Sequence, residues 1–386
     1  MPITRVPRGG RIVGAALVCL SALAPAAHAG PINPPAGPIA PTHKTMSQVE
    51  PRTPIGPDTT PGDADSLYKI TTPGSYYLTG NLTGSNGKHG IEIAVTGVTI
   101  DLMGFTLTGP SVGPMDAITF TGGVPTDITV RNGFIRNWGR DGVNILHHGG
   151  GQGVTVENLT ISSCGSTGIA TAWCSTVRSC TVSSCAEGGI VVGNRSLVEN
   201  CVVVGAGGSA ALNAGDACTV RGCTITASDG AGVWIGERCA VTGCGISDNG
   251  AEGITAWGAD TVISRCIIDD NAGSGIVLLS GCAAIGNTCA GNGAPGSGAA
   301  GIYVQGERNR VEDNTLRANR HGLFVSGHHN LIFRNTAAAN QTNYFINISN
   351  RYGVVVDLTG ETSQTVSGNS GAGTMFTVDP WANVAF

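Results

Sequence analysis

The sequence repeats one apolar position at intervals of 21 or 22 residues, with two longer intervals of 26 and 27 residues. Units this short cannot bury an apolar face alone, so each unit must stack on its neighbours. A second apolar column follows five residues later, and about twelve residues after the first comes Gly with a branched residue, as in Gly168-Ile169. The repeated apolar position is occupied by Val130, Val156, Val177, Val198, Val220, Val241, Ile263, Ala284, Val311 and Ile332.

Each unit therefore predicts three short strands, separated by turns of Gly, Ser, Asn or Asp. Strands wound so that equivalent residues lie above one another form a parallel β-helix, and chain chirality favours the right-handed coil. We predict an all-β protein, a right-handed parallel β-helix that is a single-stranded solenoid with coils of about 21–22 residues.

Cysteines are dense in the early units, as in STVRSCTVSSC (residues 175–185), and Asn occupies the same turn positions in the later units. Stacked Asn side chains can hydrogen-bond along a solenoid, and Cys is a small residue that fits the same buried position. Stacked thiols about 4.8 Å apart point the same way, which suits neither a relaxed disulfide nor a tetrahedral zinc site. We therefore predict Cys/Asn ladders, with strained disulfides as the alternative redox state.

A charged column lies one residue after the repeated apolar position, beginning with Arg131, Glu157, Arg178, Glu199 and Arg221. Alternating charges on adjacent coils are expected to pair and to fix the strand register. The alternative is a strip that hydrogen-bonds sugar hydroxyls or carboxylates.

Four segments are expected along the chain. Residues 1–29 have the pattern of a signal peptide, with three Arg, an apolar stretch and a final Ala-His-Ala. A lipoprotein-type cleavage at Cys19 is the alternative. Residues 30–65 form a Pro-rich linker, residues 66–345 the β-helix, and residues 346–386 a C-terminal capping tail, because they break the repeat.

The balance of charge and the lack of long apolar runs limit the possible partners. The net charge of -5 argues against nucleic acid. No run after the signal approaches the roughly 20 apolar residues of a membrane span. We expect an exported protein that is secreted, periplasmic or at the cell surface.

Aromatic residues are scarce, at 5% of the chain, yet several fall on the strand that follows the recurring Gly position of the units. Outward positions on that strand alternate with inward Ile or Val. They are expected to hold Trp234, Trp257, Tyr303 and Phe324. Exposed rings on a flat sheet suit stacking on sugar rings, so we predict carbohydrate binding there. The alternative is that turns or the tail cover these rings.

Three acidic residues are the first candidates for catalysis or metal binding. Asp248 and Asp270 occupy equivalent turn positions and Asp269 adjoins the second. Stacked carboxylates about 5 Å apart repel, which raises a pKa or attracts a cation such as Ca²⁺. Asp248 and Asp270 are therefore the metal candidates, and solvated turn carboxylates are the alternative.

Basic residues complete the catalytic candidates. Arg320 and His321 lie in adjacent coils with His328 and His329 and could converge with them. The candidate catalytic set is thus Asp248, Asp269, Asp270, Arg320 and His321. The lysines are Lys44, Lys69 and Lys88, so a lysine base is not expected from residue 89 onward.

The units ISRCIIDDNAGSGIVL (residues 263–278) and VEDNTLRANRHGLFV (residues 311–325) resemble right-handed parallel β-helix repeat proteins of the pectate-lyase-like superfamily. The N-terminal segments SLYKITTPGSYYLTGNLTG and GVTIDLMGFTLTG are similar to those of a group of exported bacterial β-helix proteins of unestablished function. The resemblance covers roughly residues 50–386 and implies the fold and export. Members of the superfamily cleave or epimerise acidic polysaccharides, but their characteristic motif sets are absent here.

Two functions follow from these observations. The first is an exported β-helix protein that binds glycans or acts as a scaffold at the cell surface or outside the cell. The alternative is a polysaccharide lyase or glycoside hydrolase acting on an acidic polysaccharide, so whether the protein is an enzyme stays open. A glycan is the expected partner in both cases, and no cofactor is evident apart from Ca²⁺.

Overall fold

The structure is a computed structural model that describes residues 50–146, 150–293, 298–357, 366–367 and 380–385. The expected signal peptide and residues 30–49 of the expected linker lie outside these residues, as do His147 and His148. The described residues form strands and turns and contain no helix. Accordingly, no described helix offers a long apolar stretch that could cross a membrane.

The strands stack in parallel as a solenoid with three faces, which confirms the predicted parallel β-helix. Face C is a 14-stranded sheet with one strand per coil. Its strands are Ser66–Ile70, His89–Ile93, Ile118–Phe120, Val143–Ile145, Thr167–Thr171, Gly188–Val192, Ala210–Ala214, Ala231–Ile235, Ile254–Ala256, Ile276–Leu278, Ala300–Val304, His321–Val325, Thr342–Ile346 and Val366–Ser367.

Faces A and B together form a 26-stranded sheet, because Thr126–Arg136 and Gln152–Ser162 run through both. The remaining strands of face A are Thr53–Pro54, Gly74–Tyr77, Val98–Asp101, Thr176–Arg178, Leu197–Glu199, Thr219–Arg221, Ala240–Thr242, Val262–Ser264, Ala283–Ile285, Arg310–Glu312, Leu331–Phe333 and Arg351–Tyr352. Those of face B are Leu82–Thr83, Thr106–Thr108, Thr181–Ser183, Val202–Val204, Thr224–Thr226, Gly245–Ser247, Ile267–Asp269, Thr288–Ala290, Thr315–Arg317, Thr336–Ala338, Val355–Asp357 and Asn383–Ala385.

The core is built from columns of identical or similar side chains. Val156 is in register with Val130 on one side and Val177 on the other, and all three are fully buried. β-Branched residues fit this environment because they pack well on a pleated surface. Burial of each such side chain stabilises the fold by about 1.5–3 kcal/mol.

The predicted Cys/Asn ladders are present at the turns, and the thiols do more than fill space. The backbone N–H of Cys218 donates to Cys239 Sγ at 3.2 Å, and Cys239 Sγ lies 3.2 Å from the carbonyl oxygen of Gly215. In the later coils the N–H of Asn309 donates to Asn330 Oδ1 at 2.8 Å. Sulfur and amide oxygen therefore accept equivalent backbone hydrogen bonds, and the twelve described cysteines are free thiols.

The charged column forms ion pairs between coils on face A. Arg178 Nε donates to Glu157 Oε2 at 2.7 Å, and Arg221 Nε donates to Glu199 Oε2 at 2.8 Å. The arginine side chains are at least half exposed. Exposed pairs contribute little to stability, so their main effect is on register.

Both ends of the solenoid include residues from outside the repeat. Thr53–Pro54 is in register with residues of Gly74–Tyr77, one coil further along. Asn383–Ala385 lies on face B between Thr336–Ala338 and Val355–Asp357. Asn383 Oδ1 accepts the N–H of Asn335 at 3.0 Å, so this segment supplies the final residue of one Asn ladder.

Candidate functional site

Face C carries one outward column of side chains along its length, which we call the outer column. Its first members are polar, its middle members are small, and its last members are mostly aromatic. In chain order they are Lys69, Glu92, Thr119, Asn144, Ala170, Val191, Asn213, Trp234, Thr255, Val277, Tyr303, Phe324 and Phe345.

The aromatic part of the outer column borders a groove of about 570 Å³, which we call the aromatic groove. Thr255 and Val277 form its floor, and both are at least 94% buried. Trp257 forms one wall, while Tyr303 and Phe324 form the other. Because the two floor positions are small, the groove is a gap of two coils between larger aromatic side chains.

The aromatic rings are held in place by one another. Trp234 and Trp257 meet edge to face, with ring centroids 5.8 Å apart. Tyr303 and Phe324 also meet edge to face at 5.1 Å. Trp257 is 57% exposed, so it offers a large free ring surface on a rigid support. This arrangement suits contact with the apolar face of a sugar ring.

The polar groups of the groove are few and mostly uncharged. Its described lining includes the buried Ser274 and the exposed Gln305, and Glu252 is the one charged residue in that lining. Thr255 Oγ1 is buried without a hydrogen-bond partner among the described residues. Because none of the described lining residues is cationic, the groove is better matched to an uncharged ligand than to a polyanion.

One of the four aromatic residues predicted to lie at outward strand positions, Trp257, lies elsewhere in the structure. The outward position opposite Trp234 is Thr255, and Trp257 lies just beyond the strand Ile254–Ala256. Trp257 is therefore not an outward strand residue as predicted, although it reaches the same groove from the turn.

The acidic candidates lie on face B and its turn, away from the aromatic groove lining. Asp248 and Asp270 occupy equivalent positions with φ of 56° and 53°. Asp269 is half-buried, and burial, together with the charges of Asp270 and Asp248, raises its pKa against the effect of Arg317. A raised pKa on Asp269 fits a general acid, but it also fits a crowded turn carboxylate.

The basic candidates do not form one cluster. His321 begins the strand His321–Val325, whereas His328 and His329 lie beyond its other end. Burial first, and then the charge of Arg320, lowers the pKa of His321, whose ring lies 5.2 Å from that of Phe324. The ring of His321 therefore adjoins the aromatic end of the outer column, and the suggested convergence with His328 and His329 is wrong.

A polar cluster at the N-terminal end of face C was missed from the sequence. Arg140 Nε lies 3.3 Å from Asp116 Oδ1 and 3.4 Å from Asp141 Oδ2. Asn144 Nδ2 lies 3.4 Å and 2.8 Å from the same two carboxylates. His89 Nδ1 accepts the backbone N–H of Asp116 at 3.0 Å, so the proton of this ring lies on Nε2 and its 3.7 Å approach to Asp116 Oδ2 is no ion pair.

The cluster continues along the outer column with a buried acid, Glu92, and with Lys69 on the coil before it. Lys69 Nζ lies 2.8 Å from Glu92 Oε1, and Thr121 Oγ1 donates to the same oxygen at 2.5 Å. The side chain of Glu92 is 4% exposed, and Lys69 also contacts Asp63 at 2.7 Å. Lys69 is therefore part of the polar end of face C.

The carboxylates of the cluster serve the backbone. Asp116 Oδ1 accepts the N–H of Asp141 at 3.0 Å, and Asp141 Oδ1 accepts the N–H of Thr167 at 2.8 Å. Burial raises the pKa of Asp116, and the charge of Asp141 adds to that rise. The side chains of Asp116 and Asp141 are 0% and 8% exposed, so neither reaches solvent enough to contact a polymer directly.

Known proteins share this architecture. Residues 70–217 and 209–359 match the model of the right handed beta helix region. No curated protein sequence matches the chain.

Solved structures with a similar fold have low sequence identity, so they show the fold alone. A mutant tailspike protein of E. coli bacteriophage HK620 is 13% identical over 81% of this chain and 71% of its own, with a TM-score of 0.54. Another mutant of that tailspike, solved with a pentasaccharide, is 12% identical over 82% and 71%, with a TM-score of 0.47. The mannuronan C-5 epimerase A-module of Azotobacter vinelandii is 15% identical over 81% and 91%, with a TM-score of 0.46. Because the family model spans most of the chain, the protein belongs to the right-handed β-helix family.

Proposed function

We propose that this is an exported glycan-binding protein and that the aromatic groove on face C binds an uncharged oligosaccharide. The observation that carries the proposal is the pair of aromatic walls, Trp257 on one side and Tyr303 with Phe324 on the other, around a small-residue floor. Sugar rings present one apolar face and a rim of hydroxyls. Stacking on the rings and hydrogen bonds to the exposed Gln305 and the half-buried Glu252 would match both features.

Export is the second part of the proposal and rests on the sequence pattern of residues 1–29. The long regular solenoid also suits an extended ligand, because equivalent positions repeat along one face every ~4.8 Å.

A glycan array with the purified protein tests the proposal, followed by calorimetry of the best ligand. Trp257→Ala and Tyr303→Ala should each weaken binding about tenfold or more, since removal of a central aromatic contact typically costs over 1 kcal/mol. Trp173→Ala is the matched control, because Trp173 is also an exposed residue just beyond a face C strand but lies outside the groove lining. Binding that is unchanged in both groove variants would contradict the proposal.

A lyase or hydrolase remains the second candidate, favoured by the Asp116–Asp141 pair and the raised pKa of Asp116. We rank it second because these carboxylates are buried beneath Arg140 and already accept backbone hydrogen bonds. Incubation with neutral and acidic polysaccharides, read by new reducing ends and by ultraviolet absorbance of unsaturated products, tests it. Product formation that is abolished by Asp116→Asn or Asp141→Asn would place the chemistry at this cluster.

A further inference from the structure

Two turns on adjacent coils bring two imidazoles and a carboxylate together far from the polar cluster. Glu307 follows the strand Ala300–Val304, and His328 and His329 follow the next face C strand, His321–Val325. Their ligand atoms all lie within 4.8 Å of one another. None of the three residues lines the aromatic groove.

Both imidazoles direct the same nitrogen toward one carboxylate oxygen. His329 Nδ1 lies 3.3 Å from Glu307 Oε2, and His328 Nδ1 lies 3.8 Å from the same atom. Zinc binds His nitrogen and carboxylate oxygen at about 2.0–2.2 Å, so two ligand atoms in a tetrahedral site stand roughly 3.3 Å apart. The first distance already matches, and the second needs a small side-chain adjustment.

The side chains are available to an ion. His328 and His329 are 60% and 63% exposed, and their rings are stacked with centroids 4.8 Å apart. Arg308 Nη2 donates to Glu307 Oε1 at 3.1 Å, which leaves Oε2 directed at the imidazoles.

We infer that Glu307, His328 and His329 form a binding site for a divalent transition-metal ion, and Zn²⁺ is the ion that we expect to bind. Two imidazoles and one carboxylate suit zinc, copper or nickel rather than Ca²⁺, which prefers oxygen ligands alone. The ion would join the turns of two adjacent coils, with the fourth position open to water. Arg308 and the nearby Arg351 carry positive charge, so the affinity for the metal ion should be lower than it would be without these arginines.

The test is calorimetric titration of Zn²⁺ into untagged protein that has been freed of metal with a chelator. We expect one ion per chain, with binding weakened at least tenfold in His328→Ala, His329→Ala and Glu307→Gln. Loss of even an outer partner of a metal ligand costs about 10–100-fold in affinity, so loss of a ligand should cost no less. The double variant His147→Ala/His148→Ala is the matched control, since that second His-His pair should not affect the titration.

Copper provides an independent readout. Electron paramagnetic resonance of Cu²⁺-loaded protein should show coupling to two imidazole nitrogens in the unmodified chain and to one in either single His variant. Absence of Zn²⁺ binding, or binding and spectra that are unchanged in the His328 and His329 variants, would overturn the inference. Circular dichroism of each variant ensures that any loss is measured on folded protein.

Discussion

Replacement of Asn309 tests how the buried ladders stabilise the solenoid. Asn309 is 1% exposed, and its Oδ1 accepts the backbone N–H of Cys282 at 2.8 Å. Its Nδ2 donates to the carbonyl oxygen of Leu279 at 2.6 Å and to Asn330 Oδ1 at 3.0 Å. Asn309→Ala would leave the N–H of Cys282 and the carbonyl of Leu279 buried without partners.

The expected cost follows from these two orphaned groups. Each buried unsatisfied group costs about 1–3 kcal/mol, so Asn309→Ala should lower the free energy of unfolding by about 2–6 kcal/mol. Asn309→Cys should cost about 1–2 kcal/mol, because a thiol keeps both bonds in weaker form. Cys239 shows this in the same column, where Sγ accepts one backbone N–H and approaches one carbonyl oxygen, both at 3.2 Å.

Urea unfolding followed by far-ultraviolet circular dichroism measures both costs. The slope of free energy against urea must stay the same across variants, because repeat arrays can lose cooperativity and the two-state treatment then fails. Asn213→Ala is the control, as this Asn is exposed on face C and should change stability by no more than about 0.5 kcal/mol. A cost below about 1 kcal/mol for Ala, or an equal cost for Ala and Cys, would refute the reasoning.

Three further predictions concern strain, thiols and pH. Ala318 has a φ of 55°, and Gly291 occupies the equivalent position one coil earlier. Ala318→Gly should therefore raise the free energy of unfolding in urea by about 0.5–1 kcal/mol. This gain is the cost of the left-handed conformation for Ala minus the extra conformational entropy that Gly loses on folding. Among the described cysteines only Cys174 is not fully buried, and burial raises the pKa of Cys282 and Cys289. Ellman's reagent should thus react slowly with the native protein. In denaturant without reductant it should react with all twelve cysteines, whereas no reaction there would indicate disulfides. Burial raises the pKa of Asp116, so its contribution to the free energy of unfolding is fully present below a pH of about 3.9 and is lost as the pH rises through the folded-state pKa. Asp116→Asn should flatten this part of the plot of unfolding free energy against pH. An unchanged plot would contradict the prediction.

The fold was predictable because one physical constraint recurs in every regular coil. From Val130 onward the inward apolar residue returns every 21–27 residues, and the outward residue lies two places after the Gly of each coil, as Trp234 does after Gly232. That spacing placed Trp234, Tyr303 and Phe324 on one column correctly. In the next coil the same spacing locates Thr255, and Trp257 was misplaced because it lies two residues later, beyond the end of the strand, and reaches the groove from a turn.

The polar cluster was not predictable in the same way. Lys69, Glu92, Thr119 and Asn144 are equivalent, but their separations of 23, 27 and 25 residues hide the period. The contact of Asn335 with Asn383 spans 48 residues outside any repeat. Such long-range pairing depends on the whole tertiary structure, so no local pattern of apolar or turn residues signals it.

A crystal structure of the protein with an uncharged oligosaccharide selected from the array tests the central claim most directly. The account predicts sugar rings packed on Trp257 and against Tyr303 in the aromatic groove, with a hydroxyl within hydrogen-bond distance of Gln305 or Glu252. A ligand seated at the Asp116–Asp141 cluster, or on face A or face B, would contradict it.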